Sequence, residues 1–555
     1  MNKKVCSFPI LFALLALLIG TCAVVFPASA QAAPTSTGSI TVSGTVASSY
    51  DAYRIFSANV VDGDSDAKIA TDLAWASDAA RDAALPVLHS AGMRNSQTTA
   101  QEAAEWLNTD SHLTSALSAQ LARSLQSSGA VPVALNAGTV AELPCGYWLI
   151  VADDDAIAQG EAGTVPIMAL VGGSAVTVKP KAATPKVAKH VLEDSTAAWQ
   201  KAADATVADD LYWRLSATVP AGLTAYDTYT VRFVDTMSAG LDPSKVAASV
   251  RVYVAAGADG GFDAVQTGKD GRVGTDPAKD WTDITAQCAT KVAADGTFTV
   301  RTGDLIAALG GADAFTAGAR VVAVYNAPLN SACNHGIAKG NPNEVYLRYP
   351  RSPFADQSGD AGFTHTPSDD ACAYTWDLAL TKRGSDGDKP LAGAVLSIAD
   401  DRGRTLAVDG TWDAEGKATV TTGEDGRVTV SGVDSGKLEV RELKAPKGYT
   451  AFEGTRSVTV KAEGLDVDQV AAAKPKLTIT AESPLRADSA DGSTGSLEAS
   501  LINTPTGTPP SITTGGFMPS TGDMAMYAAA AAAVAGAALI VVALLVKRGG
   551  GSHKE

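Results

Sequence analysis

The sequence predicts a mainly β fold: tandem immunoglobulin-like β-sandwich domains, the first with a helical insertion, between a cleaved signal peptide and a C-terminal transmembrane helix. Three observations predict it. Short apolar strands recur between Gly- and Asp-rich turns such as Gly423-Glu424-Asp425-Gly426 and Ser431-Gly432, the spacing of a sandwich. Aromatic residues are only 6% while glycines number 52, which suits thin, turn-rich β domains. Long uncharged apolar runs stand at the two ends of a 555-residue chain, long enough for several domains.

The N-terminal run follows Met1-Asn2-Lys3-Lys4, extends from about Phe8 to Phe26 and closes on Ala28-Ser29-Ala30. A charged start, an apolar centre and an A-x-A site read as a signal peptide over 1–30, so the mature chain is expected to begin at Gln31. The first domain is placed at 34–178. Gly38–Val42 and Asp51–Phe56 read as strands, Thr71–His89 and Thr98–Gln126 as helices (the second broken at Asn108-Thr109-Asp110), and Gly146–Val151 as a return to strand. The middle domain, 188–353, carries strands at Leu211–Val219, Thr230–Val234, Val250–Val254, Val321–Tyr325 and Glu344–Tyr349, with a long loop over Gly257–Asp280. The third domain spans 374–503, and a flexible linker follows at 504–517. Met524–Val546 is uncharged; at about 1.5 Å per residue it reaches roughly 34 Å, enough to span a bilayer. Lys547 and Arg548 open a basic tail, 547–555, that marks the cytoplasmic side.

Charge narrows the function. Lys and Arg number 44 against 60 Asp and Glu, a net −16, which argues against a nucleic-acid partner. Four cysteines remain after the signal: Cys145, Cys288, Cys333 and Cys372. An exterior compartment permits disulfides, and four cysteines allow three full pairings. Cys288 and Cys333 share one predicted domain; the pairing stays open. No C-x-x-C spacing suggests zinc, and no metal or cofactor is expected. Asp62-Gly63-Asp64-Ser65-Asp66 alternates carboxylates but has Ala67 and Leu73 where a calcium loop needs Gly and Glu, so it reads as a solvated acidic loop. Asp153-Asp154-Asp155 reads as a turn. The six histidines are scattered and no H-E-x-x-H, G-x-S-x-G or phosphate loop is present, so no turnover enzyme is expected.

Chemistry shows instead in strand parity. Alternate strand residues share a face. In the third domain Trp376, Leu378, Leu380 and Lys382 share one face; so do Leu438, Val440 and Glu442, and Leu497, Ala499, Leu501 and Asn503. In the middle domain the sets are Val187, Lys189 and Val191; Val231, Phe233 and Asp235; Asn343, Val345, Leu347 and Tyr349. Each domain thus aims a lysine, an acid and an asparagine into an apolar interior, with Asn341 the runner-up to Asn343. A buried charge must neutralise or find a partner. Burial lowers a lysine's pKa and raises a carboxyl's, leaving a free amine beside a proton donor. The amine can attack the polarised Asn carboxamide and expel ammonia, forming a Lys–Asn isopeptide bond. A plain buried ion pair with a capping Asn would use the same residue types. No comparable trio stands in the first domain, where no such bond is expected.

Resemblances sharpen these readings. Glu439-Val440-Arg441-Glu442-Leu443-Lys444-Ala445-Pro446-Lys447-Gly448-Tyr449 resembles the ETxAPxGY segment of Cna B-type isopeptide domains, with Leu443 in place of Thr. Asp377–Gly393 and Asn503-Thr504-Pro505 resemble the opening and close of the same domains, and Asn343–Tyr349 resembles the matching segment of the fimbrial isopeptide domain, which uses Asp, here Asp235. The resemblance implies bonds Lys189–Asn343 and Lys382–Asn503, promoted by Asp235 and Glu442. Met518-Pro519-Ser520-Thr521-Gly522, followed by an apolar span and basic tail, resembles the LPXTG sorting signal of Gram-positive surface proteins, with Met for Leu. It implies cleavage by a sortase between Thr521 and Gly522 and transfer of the Thr carbonyl to an amine. Val176-Thr177-Val178-Lys179-Pro180-Lys181 resembles the V-x-V-Y-P-K pilin motif, with Lys179 for Tyr and no upstream Trp near Gly172. It implies Lys181 as the inter-subunit lysine, with Lys179 and Lys186 as neighbouring alternatives.

Together the motifs resemble the major, or shaft, pilins of sortase-assembled pili. The implied partners are a pilus-specific sortase, neighbouring copies of the chain, peptidoglycan or a base pilin, and a tip adhesin; the implied location is the wall of a Gram-positive cell. Lys181 and Thr521 joining head to tail do not close a ring, which yields a fibre. The alternative is a wall-anchored monomeric adhesin or an ancillary tip or base pilin, which needs the sorting signal but not Lys181.

Overall fold

The computed structural model describes residues 36–507 apart from 65–66, 110, 181–183, 221–222, 258–280, 401 and 410. The signal peptide, Lys181, most of the 257–280 loop, most of the linker, the sorting motif, the apolar span and the basic tail lie outside the described residues.

Strands dominate. In the N-terminal region a three-stranded sheet sets Thr37–Val42 between Val140–Pro144 and Val176–Val178. A second sheet is built on Ser49–Asp62, which pairs with Lys68–Trp75, Val133–Asn136 and Gly146–Ala152. The helices fill the interval from 78 to 127: Asp78–Ser90, Ala100–Leu107 and Ser115–Ser127. Ser77, Thr99 and Thr114 cap them, each side chain accepting a hydrogen bond from a backbone N–H in the first turn. Thr99 and Glu102 form a reciprocal capping box.

One expected helix is corrected. Thr71–His89 is not continuous helix; its first residues belong to the strand Lys68–Trp75, and helix begins only at Asp78. Pairing with the long strand Ser49–Asp62 outweighs local helix propensity there. That partner is itself longer than the expected Asp51–Phe56.

The middle region is a two-sheet sandwich. One sheet runs Ala198–Gln200, Val187–Glu193, Tyr212–Thr218, Arg320–Asn326, Arg251–Ala255, Trp281–Asp283. The facing sheet runs Ala202–Asp204, Asp369–Tyr374, Asn341–Pro350, Arg232–Met237, Thr297–Arg301, Ala289–Val292. Strands Phe363–His365 and Asp369–Tyr374 pair with Asn341–Pro350, so this sandwich takes in residues between the two expected domains. Trp213, Phe233, Phe298, Tyr325 and Leu347 fill its core.

In the C-terminal sandwich, Trp376–Gly384 lies between Arg427–Val433 and, in parallel, Ser496–Pro505. The opposite sheet centres on Gly436–Lys444, paired with Val395–Ala399 and Thr455–Glu463. Trp376, Leu380, Ile398, Val440 and Leu501 are buried between them. All four described cysteines are free; the Cys288–Cys333 pairing considered above is not formed. Burial pushes the Cys288 and Cys372 thiols up to about 11, which keeps both protonated.

Candidate functional site: two buried lysine–acid–asparagine clusters

In the middle sandwich Lys189 stands on Val187–Glu193, and its neighbours Val191 and Leu215 hold it against the core. Asp235 and Asn343 come from the facing sheet, on adjacent strands in the register Met237↔Asn343 and Asp235↔Val345. All three residues have no exposed surface. Lys189 Nζ forms an ion pair with Asp235 Oδ2 and donates to the Tyr325 hydroxyl at 2.8 Å. The hydroxyl donates to Asp235 Oδ2 at 3.0 Å, and Asn343 Nδ2 donates to it at 2.8 Å. The Trp213 and Tyr325 rings lie 5.5 and 5.4 Å from Nζ.

Burial pushes the Lys189 amine down to about 8, against the pull of Asp235, and pushes the Asp235 carboxyl up despite the nearby ammonium. Both shifts favour neutral partners. Asp235 Oδ1 and Asn343 Oδ1 are buried without a hydrogen-bond partner. A protonated Asp235 would carry a donor on an oxygen that has no partner, and the Asn343 carboxamide oxygen is itself without a donor.

The C-terminal sandwich builds its cluster differently. Lys382 and Asn503 sit on neighbouring parallel strands of one sheet, with Lys382 opposite Leu501. Glu442 reaches in from the other sheet. Lys382 Nζ lies 3.6 Å from Glu442 Oε1 and donates to the Leu501 carbonyl at 3.1 Å. Asn503 Nδ2 donates to Glu442 Oε1 and Oε2 at 2.9 and 3.0 Å, and Phe452 N donates to Oε2 at 3.1 Å. Burial lowers the Lys382 amine to about 8. Asn503 Oδ1 is buried without a partner.

Asn341 is equally buried but otherwise engaged. Its Oδ1 accepts from Asn334 N at 2.8 Å, and its Nδ2 donates to the carbonyls of Asn334 and Ala373 at 2.9 and 3.2 Å. It ties a loop rather than joining the Lys189 cluster. Lys179 and Lys186, at the junction of the N-terminal region and the middle sandwich, are exposed.

Parity did not single out three further residues. Tyr325 ends the apolar face Val321, Ala323, Tyr325, and the rule that found the acids would also have marked its hydroxyl. Lys201 and Asp369 brace the Lys189 strand from outside. Asp369 Oδ2 accepts from Lys189 N at 2.6 Å and pairs with Lys201, whose Nζ also donates to the Lys189 carbonyl at 2.8 Å. No sequence pattern marks a backbone brace.

Comparison with known proteins places one segment in a described family. Residues 377–474 match the SpaA prealbumin-like fold domain. A curated relative, the trypsin-resistant surface T6 protein of Streptococcus pyogenes serotype M6, is 30% identical over 143 residues. The match spans only 24% of either chain, so about a quarter of that relative's length is covered. Among solved structures, the T6 backbone pilin of S. pyogenes has 17% identity over 85% of this chain and 98% of its own, with a TM-score of 0.46. The full-length major pilin SpaD of Corynebacterium diphtheriae has 16% identity over the same shares, with a TM-score of 0.42.

Proposed function

We propose that the chain is the structural backbone subunit of a covalently polymerised surface pilus of a Gram-positive bacterium. The observation that carries this reading is the pair of buried clusters, each with a lysine, an acid and an asparagine within one sandwich. In each, the neutral amine attacks the Asn carboxamide carbon, the carboxyl protonates the carboxamide oxygen, and ammonia departs. The bonds Lys189–Asn343 and Lys382–Asn503 make each sandwich mechanically continuous. Subunits join head to tail when a sortase cleaves Met518-Pro519-Ser520-Thr521-Gly522 after Thr521 and passes the acyl group to Lys181 of the next copy. The final subunit goes to peptidoglycan or a base pilin. The matched family segment, which contains Lys382 and Glu442, supports the same reading.

Intact-protein mass spectrometry tests the bonds: the folded protein is expected two ammonia masses below its sequence mass. An unshifted mass refutes both. Lys181→Ala tests the assembly: SDS-resistant ladders on the cell surface should collapse to a single wall-bound species. Ladders that persist in K181A would move the linkage to another lysine, Lys179 and Lys186 first. A wild-type surface without ladders would favour the monomeric adhesin.

A further inference from the structure

The two clusters solve one chemical problem with different residues. Bond formation must move a proton from the attacking lysine nitrogen to the departing amide nitrogen. In the C-terminal sandwich a single carboxylate oxygen, Glu442 Oε1, lies 3.6 Å from Lys382 Nζ and 2.9 Å from Asn503 Nδ2. That oxygen can serve both nitrogens. In the middle sandwich the acid is Asp235, one methylene shorter, and Asn343 Nδ2 reaches a hydroxyl rather than the carboxylate. The hydroxyl is Tyr325, 2.8 Å from Lys189 Nζ and 2.8 Å from Asn343 Nδ2, and itself bonded to Asp235 at 3.0 Å.

We propose that Tyr325 is a catalytic member of the middle cluster, its hydroxyl relaying the proton from the Lys189 amine to the Asn343 leaving nitrogen. The inference rests on the isopeptide reading given above. The Lys189 ammonium first gives one proton to the Asp235 carboxylate. The freed lone pair of Nζ then bonds to Asn343 Cγ, and the carboxamide oxygen takes the Asp235 proton. Nζ, now positively charged, passes a proton to the Tyr325 oxygen while the phenolic proton moves to Nδ2. The Cγ–Nδ2 bond breaks, the carbonyl re-forms, its proton returns to Asp235, and neutral ammonia leaves. Tyr325 ends as it began, and Asp235 keeps the proton that the Lys189 ammonium first gave it. Burial and the Asp235 charge hold the phenol well above its usual pKa, so it stays a neutral hydroxyl able to donate and accept at once. Its ring is fixed edge-on against Phe298 at 4.6 Å, which holds the oxygen between the two nitrogens.

Tyr325→Phe keeps the ring and removes the relay. With full-length chain made by cell-free synthesis, the Lys189–Asn343 peptide is followed in time by tandem mass spectrometry. The expected result is about a hundredfold slower middle bond, with the Lys382–Asn503 bond at its wild-type rate as internal control. Equal rates for the middle bond in Y325F and wild type overturn the relay. A second measurement uses wild type only, so it does not depend on the variant folding. Rates in H2O–D2O mixtures should bow downward, as two protons in flight require; a straight line overturns the relay. Absence of the Lys189–Asn343 peptide from wild type itself would instead sink the isopeptide reading.

Discussion

At the scale of the residue, the lysines set the problem. An isolated ammonium with no exposed surface is strongly disfavoured, and a carboxylate partner relieves this only in part. Removing the partner is the sharper perturbation. Glu442→Ala is expected to leave the C-terminal bond unformed and Lys382 alone in the core, costing about 3–5 kcal/mol of stability. Urea titration reads the loss, and intact mass reads the missing bond. The pH dependence follows from proton count. The ion pair Lys⁺/Asp⁻ and the reactive pair of neutral amine and neutral carboxyl hold the same single proton. Their interchange is therefore independent of pH while that proton stays bound. Lys189 is lowered to about 8, so above that pH the pair loses its last proton and the acid can no longer donate. The rate of middle bond formation is expected to be flat near neutrality and to fall above about pH 8. A rate that climbs through about pH 9 would mean that the free amine alone suffices. Lys189, Asp235, Asn343 and their counterparts Lys382, Glu442 and Asn503 were legible from parity, because burial on a strand alternates. Tyr325 shares that parity, but an aromatic in a Val-rich strand reads as ordinary core until its hydroxyl is given neighbours.

At the scale of the element, the same trio is mounted in two ways. The middle cluster joins facing sheets: Lys189 and Tyr325 from one, Asp235 and Asn343 from the other. In the C-terminal sandwich Lys382 and Asn503 belong to adjacent parallel strands. The sequence located the strands but not their sheet membership, since sheet order depends on contacts far apart in the chain. The strand at Lys68–Trp75 escaped sequence reasoning for the same reason: its partner, not its composition, decides its state. Bracing also belongs to this scale. Asp369 accepts the Lys189 amide and pairs with Lys201, which holds the Lys189 carbonyl. Asp369→Ala removes one hold and leaves Lys201, largely buried, without its charge partner. The expected result is faster hydrogen exchange at the Lys189 amide and a slower middle bond, with the Lys382–Asn503 bond unaffected. Unchanged exchange at that amide would remove the brace from the account.

At the scale of the whole molecule, the two proposed bonds would define where tension runs. If force enters at Lys181 and leaves at Thr521, residues before 181 lie off the path, in keeping with the expectation of no such bond in the N-terminal region. With both proposed bonds in place, the load from Lys181 would reach Lys189, cross to Asn343, follow the backbone to Lys382, cross to Asn503 and continue to Thr521. Segments 190–342 and 383–502 are bypassed. The backbone between the bonds, from Asn343 to Lys382, remains in series and includes Phe363–His365 and Asp369–Tyr374. It is held by strand pairing, by the Lys201–Asp369 brace, and at the next junction by His335 against Asp377 at 2.6 Å. The Asp377 contact holds His335 protonated, up to about 10, so that pair keeps its charge at neutral pH. Asn343 and Lys382 stand 39 positions apart in the chain, a stretch that can extend to no more than roughly 140 Å. Single-molecule pulling between residues 181 and 521 should therefore release at most that length from the two sandwiches. Asn343→Ala should add a longer step, as the segment from 190 to 342 joins the path. A long step already present in wild type would show that at least one of the two bonds carries no load.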